Sequence, residues 1–159
     1  MRAPLLALAC LAPTLVFATR FEATVSRVSD GDTVWVRPAN GMPPQQVRIA
    51  GIDAPELCQA FGAQARAALA ARVLRKRVVV DTTGEDDWRR TVARVELGEQ
   101  DVGAWMVTRG YAWSYRFRGD PGPYAGEEAR ARAARRGLWR NAAESPRDFR
   151  VRHGPCATP

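Results

Sequence analysis

Alternating apolar and polar positions predict strands in the first part of the chain. Residues 21–28 alternate, and the Asp30-Gly31 dipeptide after them is a turn signal. Residues 33–36 form a second β-rich run, and residues 46–50 return as a third after a loop rich in Pro and Gly. These three segments predict a β-meander.

From residue 61 the apolar positions recur every three to four residues, which predicts a helix over residues 61–74. Two further strands and two further helices are predicted at residues 77–81, 91–97, 102–109 and 124–136. Five strands with three helices predict an α+β fold, in which the helices pack against a small five-stranded β-barrel. An OB-type barrel, a form that often binds oligonucleotides, has this number of strands.

Two segments lack such a period. Residues 113–123 are aromatic and basic and predict a loop, and residues 141–159 predict a C-terminal tail. The main folded domain is therefore expected over residues 19–140. One domain of this size can bury a hydrophobic core by itself.

The first 18 residues have the pattern of an export signal. Arg2 gives a positive start, residues 5–12 are apolar, and residues 16–18 end in the small-x-small shape of a cleavage site. We expect cleavage of residues 1–18, a mature chain from about Thr19, and a periplasmic or secreted protein. The apolar run is short for a membrane-spanning helix.

The chain is basic, with 24 Lys and Arg against 17 Asp and Glu, a net charge of +7. This excess favours a polyanionic partner such as nucleic acid or an anionic membrane surface. Codon bias explains it equally well, since Arg and Ala are both abundant. No predicted helix has a strong apolar face, so we expect no stable membrane association. Nothing in the sequence requires more than a monomer.

Cleavage would leave two cysteines, Cys58 and Cys156. In an oxidising compartment an even pair predicts a disulfide, which would tie the C-terminal tail to the middle of the chain. The alternative is two free thiols.

Acidic clusters lie at both ends of the segment that holds the second and third strands. Asp32 belongs to the first cluster, and Arg48, Asp53 and Glu56 belong to the second. Taken singly, Asp32 could belong to a simple hairpin turn and Arg48 could be an outward-facing strand residue. Residues 53–56 could be an N-terminal helix cap. If the strands fold back on each other, the four share one site. Carboxylates there could hold a hard cation, and an arginine could hold a phosphate, which indicates phosphodiester chemistry.

Five motifs in this order resemble the staphylococcal nuclease (thermonuclease) family over residues 21–140. They are DGDT at 30–33, R-x-x-x-I-D-x-P-E at 48–56, F-G-x-x-A at 61–65, D-x-x-x-R-x-x-A at 86–93 and A-R-x-x-x-x-G-L-W at 131–139. The resemblance implies calcium-dependent hydrolysis of DNA and RNA, single- or double-stranded. It also implies little sequence preference and 3′-phosphate ends.

The resemblance also implies a role for individual residues. Asp32 and Asp53 match the calcium ligands of the family, and Ala54 matches a position that contributes its backbone carbonyl. Glu56 matches the proposed general base, which acts on a water near the metal.

Arg48 and Arg90 match the two phosphate-binding arginines. Before the second arginine the family has Tyr-Gly, where this chain has Trp88-Arg89. That departure leaves open whether Arg90 or Arg89 is the working arginine. The family's base-stacking aromatic residues have no clear match, and the nearby candidates for substrate contact are Trp113, Tyr115 and Phe117.

A binding module on the same fold, without catalysis, is the competing interpretation. Arg89 in place of glycine favours it. Retention of Asp32, Arg48, Asp53 and Glu56 opposes it, because binding alone does not require these residues.

Overall fold

The computed structural model of the chain describes residues 19–116 and 118–156. The predicted export signal at residues 1–18 and the candidate contact Phe117 lie outside the described residues. Within the described ranges, no helix is both long enough and apolar enough to cross a membrane.

The strands form a closed barrel and a separate short ribbon. In chain order they are β1 (Arg20–Val28), β2 (Thr33–Pro38), β3 (Gln45–Ile49), β4 (Ile52–Asp53), β5 (Arg77–Glu85), β6 (Thr91–Leu97), β7 (Gln100–Asp101) and β8 (Trp113–Ser114). The order in the main sheet is β3-β2-β1-β5-β6-β7, and β3 also pairs in parallel with β6. That last pairing closes five strands into a barrel, which confirms the predicted α+β, OB-like fold.

In the part of the chain that the structure describes, four α-helices accompany the barrel, whereas the sequence predicted three. They are α1 (Gly62–Val73), α2 (Val102–Thr108), α3 (Ala125–Ala133) and α4 (Pro146–His153), and a 3₁₀ turn spans Gly137–Arg140. The first three match predicted helices, although α3 is shorter at both ends than expected.

The core fills the barrel with alternating side chains of its strands. Val25, Val34 and Val36 are fully buried on neighbouring strands, and Leu69 of α1 is buried against the same cluster. Because successive strand residues face opposite sides, this alternation also turns the intervening polar residues outward. The strand pattern of the sequence therefore identifies the barrel interior.

The segment expected as a loop, residues 113–123, contains β8, and this corrects the prediction. β8 pairs antiparallel with β4, so that Asp53 lies opposite Trp113, and the Tyr115 N–H donates to the Gly51 carbonyl at 2.8 Å. Two-residue strands have too few positions to show a period. The pairing places this segment beside the second acidic cluster.

The segment expected as a tail, residues 141–159, contains α4, and this is a second correction. The Ser145 side chain caps the helix by accepting from the Asp148 N–H, and Pro146 occupies its first turn. Both features are typical of helix starts.

A disulfide joins Cys58 to Cys156, as the sequence predicted, and so ties the end of this segment to the residues after Glu56.

Candidate active site

The first acidic turn packs tightly against the second. A Cβ on Gly31 would lie 2.6 Å from the Ala54 Cβ, so only glycine allows this approach. The turn places the Asp32 carboxylate where its Oδ2 accepts the Ala54 N–H at 3.0 Å and its Oδ1 accepts the Thr33 hydroxyl at 3.0 Å. Asp32 is thereby buried and fixed at the start of β2.

Arg48 lies between the two buried aspartates. The register of β2 and β3 sets Arg48 opposite Thr33. Its Nη1 is 2.8 Å from Asp32 Oδ2, and its Nη2 is 3.4 Å from Asp53 Oδ1. Since one guanidinium contacts both carboxylates, Asp32 and Asp53 face the same small volume.

Glu56 is positioned by the turn that precedes α1. Its N–H donates to the Gln59 side chain at 3.1 Å, and its carbonyl accepts from the Gln59 N–H at 2.9 Å. A Cβ on Gly62 would collide with the Glu56 carbonyl oxygen. The start of α1 therefore presses directly on the backbone that carries the Glu56 carboxylate.

Arg150 of α4 also enters the site, although no motif in the sequence indicates it. Its Nη1 lies 2.6 Å from Glu56 Oε1, and its Nη2 lies 3.4 Å from Asp53 Oδ2. A second guanidinium thus contacts Asp53 and joins it to Glu56.

Arg90 is held at the rim of the site by Asp86. Its Nε lies 2.7 Å from Asp86 Oδ2, and its guanidinium stacks at 5.2 Å over the exposed ring of Trp88. Arg89 has a side chain that is 88% exposed and pairs with Glu85 at 3.6 Å. The geometry therefore brings Arg90 to the site and directs Arg89 towards solvent.

The two described aromatic candidates have different positions. Tyr115 is exposed beside the site, with its ring 6.0 Å from the Arg48 guanidinium. Trp113 is 4% exposed and packs edge-on against Trp139 at 5.2 Å. Tyr115 can meet a substrate, whereas Trp113 belongs to the core and its assignment as a substrate contact is wrong.

The predicted residues Asp32, Arg48, Asp53, Glu56, Arg90 and Tyr115 line one open cleft of about 750 Å³, together with Arg150. The cleft joins both acidic clusters to the rim that carries Arg90. Its charged lining residues are Asp30, Asp32, Arg48, Asp53, Glu56, Asp86, Asp87, Arg90 and Arg150.

Burial and close charges set the ionisation of the first cluster. Burial, with the nearby charge of Asp32, raises the pKa of Asp30 to about 7. Burial alone would also raise the pKa of Asp32. The Arg48 charge and the hydrogen bonds from Ala54 and Thr33 outweigh it and hold that pKa below its usual value.

In the second acidic cluster, nearby positive charge compensates the burial of Asp53 less fully. Burial, with the charge of Asp32, raises the pKa of Asp53 to about 6, although Arg150 and Arg48 oppose the shift. Asp53 therefore lies where two guanidinium groups only partly offset the cost of a buried carboxylate. Further positive charge near Asp53 would stabilise the ionised form of its carboxyl group.

A family comparison decides the identity of this arrangement. The family described as "Staphylococcal nuclease homologue" matches residues 46–141, more than half of the chain. The chain belongs to the staphylococcal nuclease family.

Individual relatives agree with this assignment. The chain is 43% identical to "Protein ParB" of Escherichia coli, over 72% of this chain and 70% of that protein. It is 38% identical to "Micrococcal nuclease" of Shigella flexneri, over 75% and 74% respectively. It is 36% identical to an "Uncharacterized endonuclease" of Haemophilus influenzae, over 72% of this chain and 64% of that protein. Membership in the staphylococcal nuclease family supports a hydrolytic endonuclease, as the sequence predicted.

The residues present fit a hard divalent cation. Within residues 19–116 and 118–156, no three Asp, Glu, His or Cys side chains form a ready-made cluster. The two aspartates nevertheless converge on a positive group, the Arg48 guanidinium. Their carboxylates supply oxygen donors, which calcium and magnesium prefer.

Two functional contacts escaped the sequence analysis. Asp86 orients Arg90 across a turn, where its Oδ1 also accepts the Trp88 and Arg90 N–H groups. Arg150 had no signal in the sequence, since it lies 97 residues from Asp53 and reaches it only in the folded chain.

We expect Arg89→Gly to stabilise the protein by about 0.5–1 kcal/mol. Arg89 adopts a left-handed backbone conformation with φ 61°, at the position where the family pattern has glycine. Relief of about 1–2 kcal/mol of strain exceeds the added chain entropy of glycine, about 0.5–1 kcal/mol. Urea unfolding measures the change. Arg89→Ala is the matched control, because it removes the side chain and retains the strain, and equal stability of the two variants would contradict the backbone argument.

Proposed function

We propose that the chain is an exported, calcium-dependent nuclease that hydrolyses DNA and RNA, single- or double-stranded, as a monomer. We further propose little sequence preference and 3′-phosphate products. The observation that carries the proposal is the convergence of Asp32, Arg48 and Asp53 on one point, with Glu56 joined to Asp53 through Arg150. The pattern of the first 18 residues supports export.

Asp32 and Asp53 hold the cation in this proposal, with the Ala54 carbonyl as a third donor. Members of the family need a metal ion. Hard oxygen donors suit calcium and magnesium alike, and we assign calcium because the motifs of the chain resemble those of calcium-dependent thermonucleases. A bound divalent cation neutralises phosphate charge and makes a nearby water more acidic. The fixed Ala54 N–H and Thr33 hydroxyl keep Asp32 aimed at that position.

Glu56 is the base that accepts the proton of the attacking water. The new P–O bond forms on one face of the phosphorus as the P–O5′ bond breaks on the other. The 5′ oxygen leaves by taking a proton from solvent water, and the phosphate stays on the 3′ oxygen. The backbone contacts of Glu56 with Gln59 fix the direction from which its carboxylate acts.

Arg48 and Arg90 bind phosphate oxygens. The transition state carries more negative charge than the bound diester, so fixed guanidinium groups stabilise it selectively. Arg48 Nη1 is buried and donates no aligned hydrogen bond, although it lies 2.8 Å from Asp32 Oδ2. A phosphate oxygen in the cleft would be an acceptor for it.

Weak sequence preference follows from the kind of group in the cleft. Its arginines bind phosphate, and phosphate contacts position a strand without reading its bases. Tyr115 offers a ring for stacking, which every base can use.

Digestion of plasmid DNA and of RNA tests the proposal, using the protein with residues 1–18 removed. We expect cleavage of both with calcium and none after chelation. End-labelling should find a phosphate on the 3′ end and a hydroxyl on the 5′ end produced at each cut. Salt-sensitive binding without cleavage under any divalent metal would contradict the enzyme and leave the binding module. Cleavage that requires magnesium in place of calcium would contradict the metal assignment alone.

A further inference from the structure

Arg150 is the one group in the cleft that comes from the C-terminal helix α4. Its guanidinium contacts Glu56 Oε1 at 2.6 Å and both oxygens of Asp53 at 3.4–3.5 Å. The side chain is 40% exposed and lines the same cleft as Arg48 and Arg90. It is therefore within reach of both the base and any phosphate that the cleft admits.

α4 is fixed at this position from both ends. Before the helix, the Gln59 side chain donates to the Glu144 carbonyl at 2.8 Å. After the helix, Cys156 is bonded to Cys58, and the Cys58 N–H also contacts its sulfur at 3.0 Å. Both anchors belong to the turn that follows Glu56, so α4 and the Glu56 turn form one unit.

The charges in the site indicate what Arg150 does. Asp32, Asp53 and Glu56 carry three negative charges, and Arg48 offsets one of them, while the charge of Arg90 is paired with Asp86 at the rim. A divalent cation would then make the set neutral, and a bound phosphodiester would leave it with one uncompensated negative charge. The positive charge of Arg150 compensates this remaining negative charge before the transition state adds further negative charge.

From this placement we propose that Arg150 is a third phosphate-binding arginine of the site, delivered by α4 and held there by the Cys58–Cys156 disulfide. The inference rests on the proposed function. Without a cation, Arg150 pairs with Asp53 and Glu56. With a cation on the aspartates, the guanidinium turns to a phosphate oxygen of the substrate and leaves Glu56 free to accept a proton.

The first test compares Arg150→Ala with Arg147→Ala. Arg147 lies on the same helix and is exposed, so both variants lose one positive charge from α4. We expect kcat/KM to fall about 10- to 100-fold in Arg150→Ala, the loss typical of a hydrogen bond to a charged group. Arg147→Ala should stay close to the unsubstituted protein. A lower kcat/KM with an unchanged melting temperature separates this role from a structural one.

Calcium binding provides a readout that does not depend on catalysis. In the absence of substrate, calorimetry should show tighter calcium binding by Arg150→Ala, because a competing cation has left Asp53. On a Glu56→Gln background, which should not cleave, binding of a short single-stranded DNA with calcium should weaken several-fold when Arg150→Ala is added, relative to adding Arg147→Ala. Weaker calcium binding together with a lower melting temperature would overturn the proposal in favour of a structural role.

The disulfide is tested by combining variants. The double variant Cys58→Ser/Cys156→Ser should lose kcat/KM, by no more than the loss seen in Arg150→Ala. Adding Arg150→Ala to this double variant should lower its kcat/KM little further. Full additivity would overturn the link between the disulfide and Arg150. Arg150→Lys should cleave faster than Arg150→Ala but more slowly than the unsubstituted protein, since lysine keeps the positive charge and lacks the paired N–H donors of the guanidinium.

The remaining outcomes are also decisive. Faster cleavage by Arg150→Ala would make α4 an inhibitory segment and overturn the proposal. Unchanged cleavage, calcium binding and DNA binding would overturn it as well. If no metal supports cleavage by the unsubstituted protein, the proposed function fails, while the DNA-binding comparison still decides whether Arg150 contacts phosphate.

Discussion

Glu56→Gln is expected to lower kcat by about 10²–10⁴-fold, the contribution typical of a positioned general base. The amide keeps the size of the side chain and cannot accept the proton of the attacking water. The backbone contacts with Gln59 do not involve the carboxylate, so the turn before α1 should persist. Single-turnover cleavage of an end-labelled oligonucleotide with saturating calcium measures the chemical step.

The matched control is Glu144→Gln, at a carboxylate that pairs with Arg152 of α4 and lies outside the cleft. It should cleave at the rate of the unsubstituted protein. Calcium binding by Glu56→Gln should also remain, because Asp32 and Asp53 are intact. A Glu56→Gln protein that keeps its single-turnover rate would remove Glu56 from the role of base.

Arg48→Ala is expected to reduce kcat/KM by about 10²–10³-fold, comparable to the loss of one transition-state donor. Stability should fall as well, by about 3–5 kcal/mol without metal, because Asp32 and Asp53 then share a buried site without their central cation. Calcium should restore much of this loss, since binding to the folded state alone stabilises it. Thermal unfolding with and without calcium measures both effects.

Arg37→Ala is the control, because Arg37 is an exposed arginine on β2, the strand that pairs with β3. Its melting temperature should respond to calcium as the unsubstituted protein does. Calcium should raise the melting temperature of Arg48→Ala more than that of Arg37→Ala or of the unsubstituted protein. Equal rises in all three proteins would show that Arg48 does not compensate the aspartates.

Most of the barrel could be predicted from alternation, since β1, β2, β3, β5 and β6 each bury one face. The ribbon of β4 and β8 could not, because two residues are too few for a period and their pairing depends on tertiary contacts. α4 was missed for a different reason. Its cap at Ser145 and its first-turn Pro146 were visible, but only Pro146 is buried within the helix, so no apolar stripe marked it.

The acidic part of the site was predictable because its residues lie within short motifs on neighbouring strands. Arg150 was not, since only the fold and the disulfide carry it from α4 to Glu56. Trp113 shows the opposite error. An aromatic and basic segment does not reveal which rings face inward, and here the Trp113 ring packs on Trp139.

Parallel pairing of β3 with β6 has a kinetic consequence for the enzyme. It sets Val47 beside Thr91, so Arg48 and Arg90 each adjoin the contact that closes the barrel. Pairing segments so distant in sequence costs loop-closure entropy, which slows this step. Until β3 and β6 pair, the two arginines are not brought together, so a chain that has not closed its barrel has no complete phosphate site.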